Sequence, residues 1–269
     1  MKKNTLLWEI RGGQLKSPCY VFGTMHVQDE RAFEGIEFVE ECLAGCSSFA
    51  AEYDLDMDDM AAFQRATSLP EGESLTTLLS SSTYKKLARV LKREAGYDLA
   101  QFDNQKPIML VNVLTTSQFS ADRSVSLDTH LYQFAKQNEM QLLGLETFES
   151  QLKILADMPM RDQLVQLKEM ASNFNRFKRN LRKTAALYVE GDIMKILKKV
   201  KKTAGSMRDA LLYDRNIIMA DRIEELGSQS SLFAAIGAGH LGGKKGVLRL
   251  LKQKGCEIIP VNYKALAKN

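Results

Sequence analysis

Hydrophobic positions alternate at both ends of this chain and recur at helical spacing through its middle. Thr5–Arg11 and Pro18–Gly23 read as two strands around a Gly12-Gly13 turn, the first hairpin of a sheet. Arg31–Ala44 follows as a helix with Phe33, Ile36, Val39 and Leu43 on one face, and Ser47–Tyr53 reads as a buried strand. From Met57 to about Ala95 the pattern is helical and polar, with Leu87, Val90 and Leu91 at helical spacing. Pro107 opens a further apolar helix, Ser126–Gln137 is another, and Gln141–Glu146 is a short buried strand. Phe148–Gly205 reads as almost entirely helical, and one long helix is expected over Met207–Leu226. The chain closes on strand Leu232–Ile236, turn Gly237–Gly243, helix Lys245–Lys254 and strand Glu257–Val261.

Strand–helix–strand alternation at the two ends and helices between them predict an α/β fold. A central, mostly parallel or mixed sheet would form from the N- and C-terminal segments of a single domain over residues 1–269. Helical insertions or a cap are expected at approximately 55–125 and 150–205. The last strand–helix–strand unit should be a right-handed parallel crossover.

Composition narrows the class without naming a chemistry. A hydrophobic fraction of 45% and a charged fraction of 26% are those of a globular protein. A net charge of +4 is too mild, without a focused patch and a readout motif, for a nucleic-acid binder. The basic run from Arg176 to Lys183, continued by Lys195, Lys198, Lys199, Lys201 and Lys202, reads as a solvated helix face opposite Leu197 and Val200. Lys2 and Lys3 precede an apolar run that Glu9 and Arg11 interrupt, and no stretch approaches the ~18 apolar residues of a membrane span. A soluble, cytoplasmic chain is the expectation. Cys42 and Cys46 lie at i, i+4 spacing, yet no second Cys/His pair completes a zinc site, so Cys19, Cys42, Cys46 and Cys256 read as ordinary thiols.

The chemistry is carried by a short element that recurs. Two of the three histidines stand in one local context, Tyr20-Val21-Phe22-Gly23-Thr24-Met25-His26 and Ala234-Ala235-Ile236-Gly237-Ala238-Gly239-His240. In each, an apolar strand ends in glycine and the imidazole arrives three residues later, where α/β sheets place their ligands. If those strands are neighbours, both rings overlook one crevice. Carboxylates occupy matching places, Glu52 near the end of one strand and Glu146 at the end of another. His26, His240 and Glu52 are the ligand types of a catalytic Mn²⁺, Co²⁺ or Zn²⁺ site. Such a metal lowers the pKa of water toward 7, with Glu52 or Glu146 as base. Arg215, on an apolar helix, suits charge stabilisation in a transition state or a salt bridge to Asp214 or Glu146. His130 lacks a glycine turn and reads as a packing residue.

Competing motifs fail on context. Gly237-Ala238-Gly239-His240-Leu241-Gly242 matches a dinucleotide fingerprint in letters. The acidic residue expected at the end of the following strand is absent, and too little chain follows Pro260 for the remaining βαβ units. Gly243-Lys244 lacks the upstream glycine and the Ser/Thr of a P-loop, and neither G-x-S-x-G nor HExxH occurs.

Trp8-Glu9-Ile10, the two Gly-x-x-His motifs, the strand reaching Glu52 and the helix after His240 together resemble the TraB/PrgY/GumN family, to which the Tiki metalloproteases belong and which is distantly related to erythromycin-esterase and ChaN-like proteins. The resemblance runs in order from about Leu6 to Val261. It implies an α/β core with helical additions and a divalent-metal site using His26, His240 and Glu52. The activity it implies is metal-dependent hydrolysis, of peptides rather than esters, on a peptide or small-molecule substrate. The other reading is a non-catalytic protein of the same fold that sequesters a peptide or haem.

Overall fold

The computed structural model describes residues 4–25, 28–54, 59–119 and 123–266. In chain order its elements are β1 (Leu7–Gly12), β2 (Cys19–Thr24), α1 (Ile36–Ala44), β3 (Ser48–Tyr53), α2 (Met60–Thr67), α3 (Leu75–Leu78), α4 (Ser81–Ala95), α5 (Pro107–Thr116) and α6 (Leu127–Gln137). They continue as β4 (Gln141–Glu146), α7 (Phe148–Asp157), α8 (Met160–Ser172), α9 (Phe174–Val189), α10 (Ile193–Ala204), α11 (Asp214–Gly227), β5 (Leu232–Gly237), α12 (Val247–Gln253), β6 (Cys256–Val261) and α13 (Tyr263–Leu266).

The fold is mixed α/β. The strands form a six-stranded sheet in the order β4-β3-β5-β2-β1-β6. The hairpin holds, with Leu7 opposite Phe22 and Ile10 opposite Cys19, although a loop from Gly13 to Pro18 replaces the tight glycine turn. β5 enters between β2 and β3 and runs parallel to both. All of β5 but its final glycine is buried, the pattern of a strand covered on both faces. β6 pairs antiparallel with β1 and so runs parallel to β5, with β2 and β1 between them. Phe233 anchors the centre: on one sheet face its ring lies 6.3 Å from Tyr20, 6.4 Å from Phe22 and 6.3 Å from Phe49.

Two expected helices are broken. Gly35 adopts φ 80°, which divides Arg31–Ala44 into a 3₁₀ turn at Glu30–Phe33 and α1. The long helix over Met207–Leu226 is instead a 3₁₀ turn at Gly205–Met207, a turn of π-helix at Asp209–Tyr213, and then α11. The expected Lys245–Lys254 helix begins later, at Val247, because the Gly242–Gly246 segment remains a turn.

The chain divides into two compact units. Residues Met1–Met57, Ala121–Gln151 and Thr184–Asn269 make the sheet-bearing unit, and Asp58–Ser120 with Leu152–Lys183 make a helical one. The helical unit has its own core, where Leu75, Leu87, Leu91, Leu110, Leu114 and Leu167 are almost fully enclosed. Buried Gln163 is satisfied at both ends of its amide, accepting from the Ile108 amide and donating to the Met158 carbonyl. In the sheet unit, α10 packs against the turn that carries His240: a Cβ on Gly239 would lie 3.0 Å from a Val200 methyl.

Candidate functional site

The condition set by the paired motifs is met at the level of the strands. β2 and β5 are parallel neighbours, with Gly23 opposite Ile236 and Thr24 opposite Gly237. His26 itself lies outside the described residues. Both motif glycines are places where a side chain has no room. A Cβ on Gly23 would fall 2.5 Å from Leu241 and 3.2 Å from Ala238, so the β2 end lies directly against the His240 turn. A Cβ on Gly237 would meet Glu52 Oε1 at 3.1 Å and the His240 ring at 3.5 Å. The Gly-x-x-His spacing thus clears space for a carboxylate and folds the imidazole back beside it. Fully buried Tyr188 fastens the β2 end by donating to the Gly23 carbonyl at 2.8 Å.

Glu52, Glu146, Arg215 and His240 converge at the carboxyl ends of β3, β4 and β5. Arg215 spans the two acids: its Nη2 donates to Glu52 at 2.6 Å and to Glu146 at 2.7 Å, while Nε donates to both oxygens of Glu146 at 3.0 and 3.1 Å. Its partners are therefore the two strand-end glutamates and not Asp214. The π-turn immediately precedes Arg215, which stands at the irregular start of α11 rather than mid-helix. Gln151 donates to Glu146 at 2.8 Å, and the Gly237 amide donates to Glu52 Oε1 at 2.7 Å. Glu146 is 7% exposed and His240 6%.

The proton on His240 can be placed by hydrogen-bond logic. Asn216, 1% exposed, donates its Nδ2 to the Lys245 carbonyl at 2.7 Å, so its Oδ1 faces His240 Nδ1 at 2.6 Å and accepts. Nδ1 must then carry hydrogen, and Nε2 presents a lone pair toward Glu52 Oε1, 3.8 Å away. That separation is beyond a hydrogen bond. Burial drives the His240 pKa down to about 4, Arg215 adds to the effect, and Glu52 only partly opposes it. The ring is neutral at physiological pH.

Burial also works against charge on Glu52, but His240, Arg215 and the Gly237 amide prevail and bring its pKa down to about 2. With His240 neutral near pH 7, Arg215 and the amide hold that carboxylate ionised. Burial raises the Glu146 pKa, helped by the neighbouring Glu52, against the pull of Arg215. One guanidinium therefore faces two carboxylates and a neutral imidazole, a buried set that lacks one positive charge. A neutral His with its lone pair directed at an ionised Glu, in a set short of positive charge, is a donor arrangement that suits a divalent cation. Among the described residues no third His, Cys, Asp or Glu completes a metal-binding group with this pair.

Two side chains bonded into the cluster were not singled out from the sequence. Asn216 shares the inward stripe of Leu212, Met219, Ala220 and Ile223, so a polar residue at a core position was its signal. Gln151 on α7 carried no such mark. His130 packs edge-on to Phe33 with Nε2 2.7 Å from Glu40, away from the cluster. The cysteines are free thiols, and burial pushes Cys46 up to about 12 and Cys42 up to about 11.

Fold and site define an α/β protein with a buried, partly ionised polar cluster at the carboxyl ends of its parallel strands. The chain belongs to the TraB/PrgY/gumN family, whose model matches residues 6–260. It is 25% identical to the metalloprotease TIKI2 of Danio rerio, over 95% of this chain and 60% of that protein. Identity is 24% to the metalloprotease TIKI1 of Xenopus tropicalis, covering 95% and 61%, and 23% to the metalloprotease TIKI homolog of Nematostella vectensis, covering 95% and 66%. The chain spans about 60% of the length of the first two. No solved structure matches it. Among the described residues, no helix is long and apolar enough to cross a membrane.

Proposed function

We propose that this chain is a metal-dependent hydrolase acting on peptides, with its chemistry at the Glu52–Arg215–Glu146–His240 cluster. The observation that carries the reading is the bare Nε2 of a neutral, Asn216-oriented His240 facing an ionised Glu52 across a site deficient in positive charge. The names of the metalloprotease relatives support it. His240 and Glu52, with His26, would hold the cation, which is Mn²⁺, Co²⁺ or Zn²⁺. When bound, such an ion supplies Lewis acidity and lowers the pKa of water.

The chain's own residues do the rest. Asn216 keeps the His240 tautomer fixed, and the Gly237 amide keeps Glu52 aimed. Arg215 offsets carboxylate charge and offers a fixed cation to an oxyanion forming beside it. Glu146, whose pKa burial raises, would take the proton from an attacking water and return it to the leaving amine.

The test is a peptide library incubated with chelator-treated protein, then with each metal added back, and read by mass spectrometry. Metal-restored cleavage that disappears in His240→Ala and in His26→Ala is the expected result. Tight peptide or haem binding with no cleavage under any metal would replace it with sequestration.

A further inference from the structure

The cluster accounts for the face of α11 that carries Arg215 and Asn216, but not for Tyr213, one turn ahead of Asn216. Two ammonium groups lie against that ring. Lys245 Nζ sits 4.5 Å from its centroid and Lys201 Nζ 5.3 Å. The lysines come from two elements that frame the His240 turn: Lys201 follows Val200, the α10 residue packed on Gly239, and the Lys245 carbonyl receives the Asn216 amide that orients His240. Tyr213 closes the π-turn, an irregularity that often accompanies functional sites.

Neither amine has a carboxylate partner among the described residues. Asp209 and Asp214 flank the ring in sequence without pairing with it, and the nearby Lys195 is already matched by Asp192 and Glu190. Lys244 and Arg249, with Gly243, Met194 and Gln253, line a groove of about 630 Å³. Like charges gathered on one aromatic ring repel each other, so an anion placed between them gains from both.

We propose that Lys201 and Lys245, held on Tyr213 beside the His240 turn, form an anion subsite that selects acidic peptide segments. This rests on the reading of the cluster as a peptide hydrolase and adds the class of peptide. The subsite draws glutamate or aspartate side chains toward the cluster, and the Lys244–Arg249 groove extends the same preference along the substrate.

Binding and turnover are measured separately. A fluorescein-labelled glutamate-rich peptide and its glutamine counterpart are titrated by anisotropy onto the wild-type chain, Lys201→Gln/Lys245→Gln, Tyr213→Leu and Lys85→Gln, an exposed-lysine control in the helical unit. The acidic peptide should bind about tenfold tighter than its counterpart at low salt, and the margin should shrink toward 0.5 M NaCl, roughly where screening shortens to a few ångströms. The double lysine variant should lose the margin and Lys85→Gln should keep it. Equal affinity for the two peptides, or a margin untouched by the double variant, overturns the subsite. An oligo-dT strand displacing the peptide at lower concentration than unlabelled peptide overturns the assignment to peptides. A persistent glutamate preference without metal-restored cleavage supports the subsite while removing the hydrolase reading; cleavage with no preference does the reverse.

Discussion

Asn216 controls which nitrogen of His240 carries hydrogen, and it does so through a bond to a main-chain carbonyl that cannot change roles. Replacing it with Ala removes the acceptor for Nδ1–H and frees the ring to adopt the other tautomer. Metal affinity, read by competition with a fluorescent chelator, should fall about 10- to 100-fold while the circular dichroism spectrum is retained. An unchanged affinity would mean that Asn216 only packs. His240 also imposes an acid limit on the metal-free chain. The unfolded ring takes a proton below about 6.5, whereas the folded ring refuses it until about 4, so the stability this group lends is complete above 6.5 and drains away between those values. In chelator, denaturant midpoints should therefore fall as pH drops from 6.5 to 4, with His240 alone contributing the equivalent of about 3 kcal/mol. His240→Gln should flatten that slope. Glu52 contributes in a lower window, between 4.5 and about 2, while Glu146, with its pKa raised above 4.5, acts in the opposite sense and offsets part of the fall.

Among the elements, β5 carries the most. It joins the three β2-side strands to the two β3-side strands, and its Phe233 ring packs against aromatic partners from both neighbours. Phe233→Ala should cost about 3–5 kcal/mol, seen as a lowered urea midpoint. A loss near 1 kcal/mol would show that the neighbouring rings collapse into the space. Strands were the most legible part of the sequence, because alternation and glycine punctuation act over a few residues. Glu52 and Glu146 could be placed at strand ends for that reason. The π-turn before Arg215 could not, since Asp209–Tyr213 has ordinary helical composition and departs from α geometry only in the folded environment. α10 was read as a solvated face, which suits its lysines. That Val200 packs on Gly239 depends on an approach between helix and turn that no local pattern encodes.

On the scale of the whole molecule, the cluster is assembled from parts distant in sequence: Glu52, Glu146, Arg215 and His240. The spacing of the two Gly-x-x-His motifs hinted at this convergence, but the insertion of β5 between β2 and β3 was not readable, because strand order is settled by non-local pairing. A ligand that binds only the converged arrangement stabilises the fold that makes it. With free Mn²⁺, Co²⁺ or Zn²⁺ at 100 times its dissociation constant, the gain is about 2.7 kcal/mol. For a chain of this size the melting temperature should rise by roughly 5 to 10 °C, and His240→Ala should abolish the rise. No rise with any of the three ions would argue against a metal role.

Because the strand that completes the centre of the sheet is made after both strands it joins, timing is built into the architecture. A nascent chain halted before Leu232 would already contain both glutamates and Arg215. It would still lack the Gly237 amide that aims one acid and the imidazole that faces it. The cluster therefore cannot assemble on a nascent chain until β5 and the turn after it have been made, however early its acids and its guanidinium emerge.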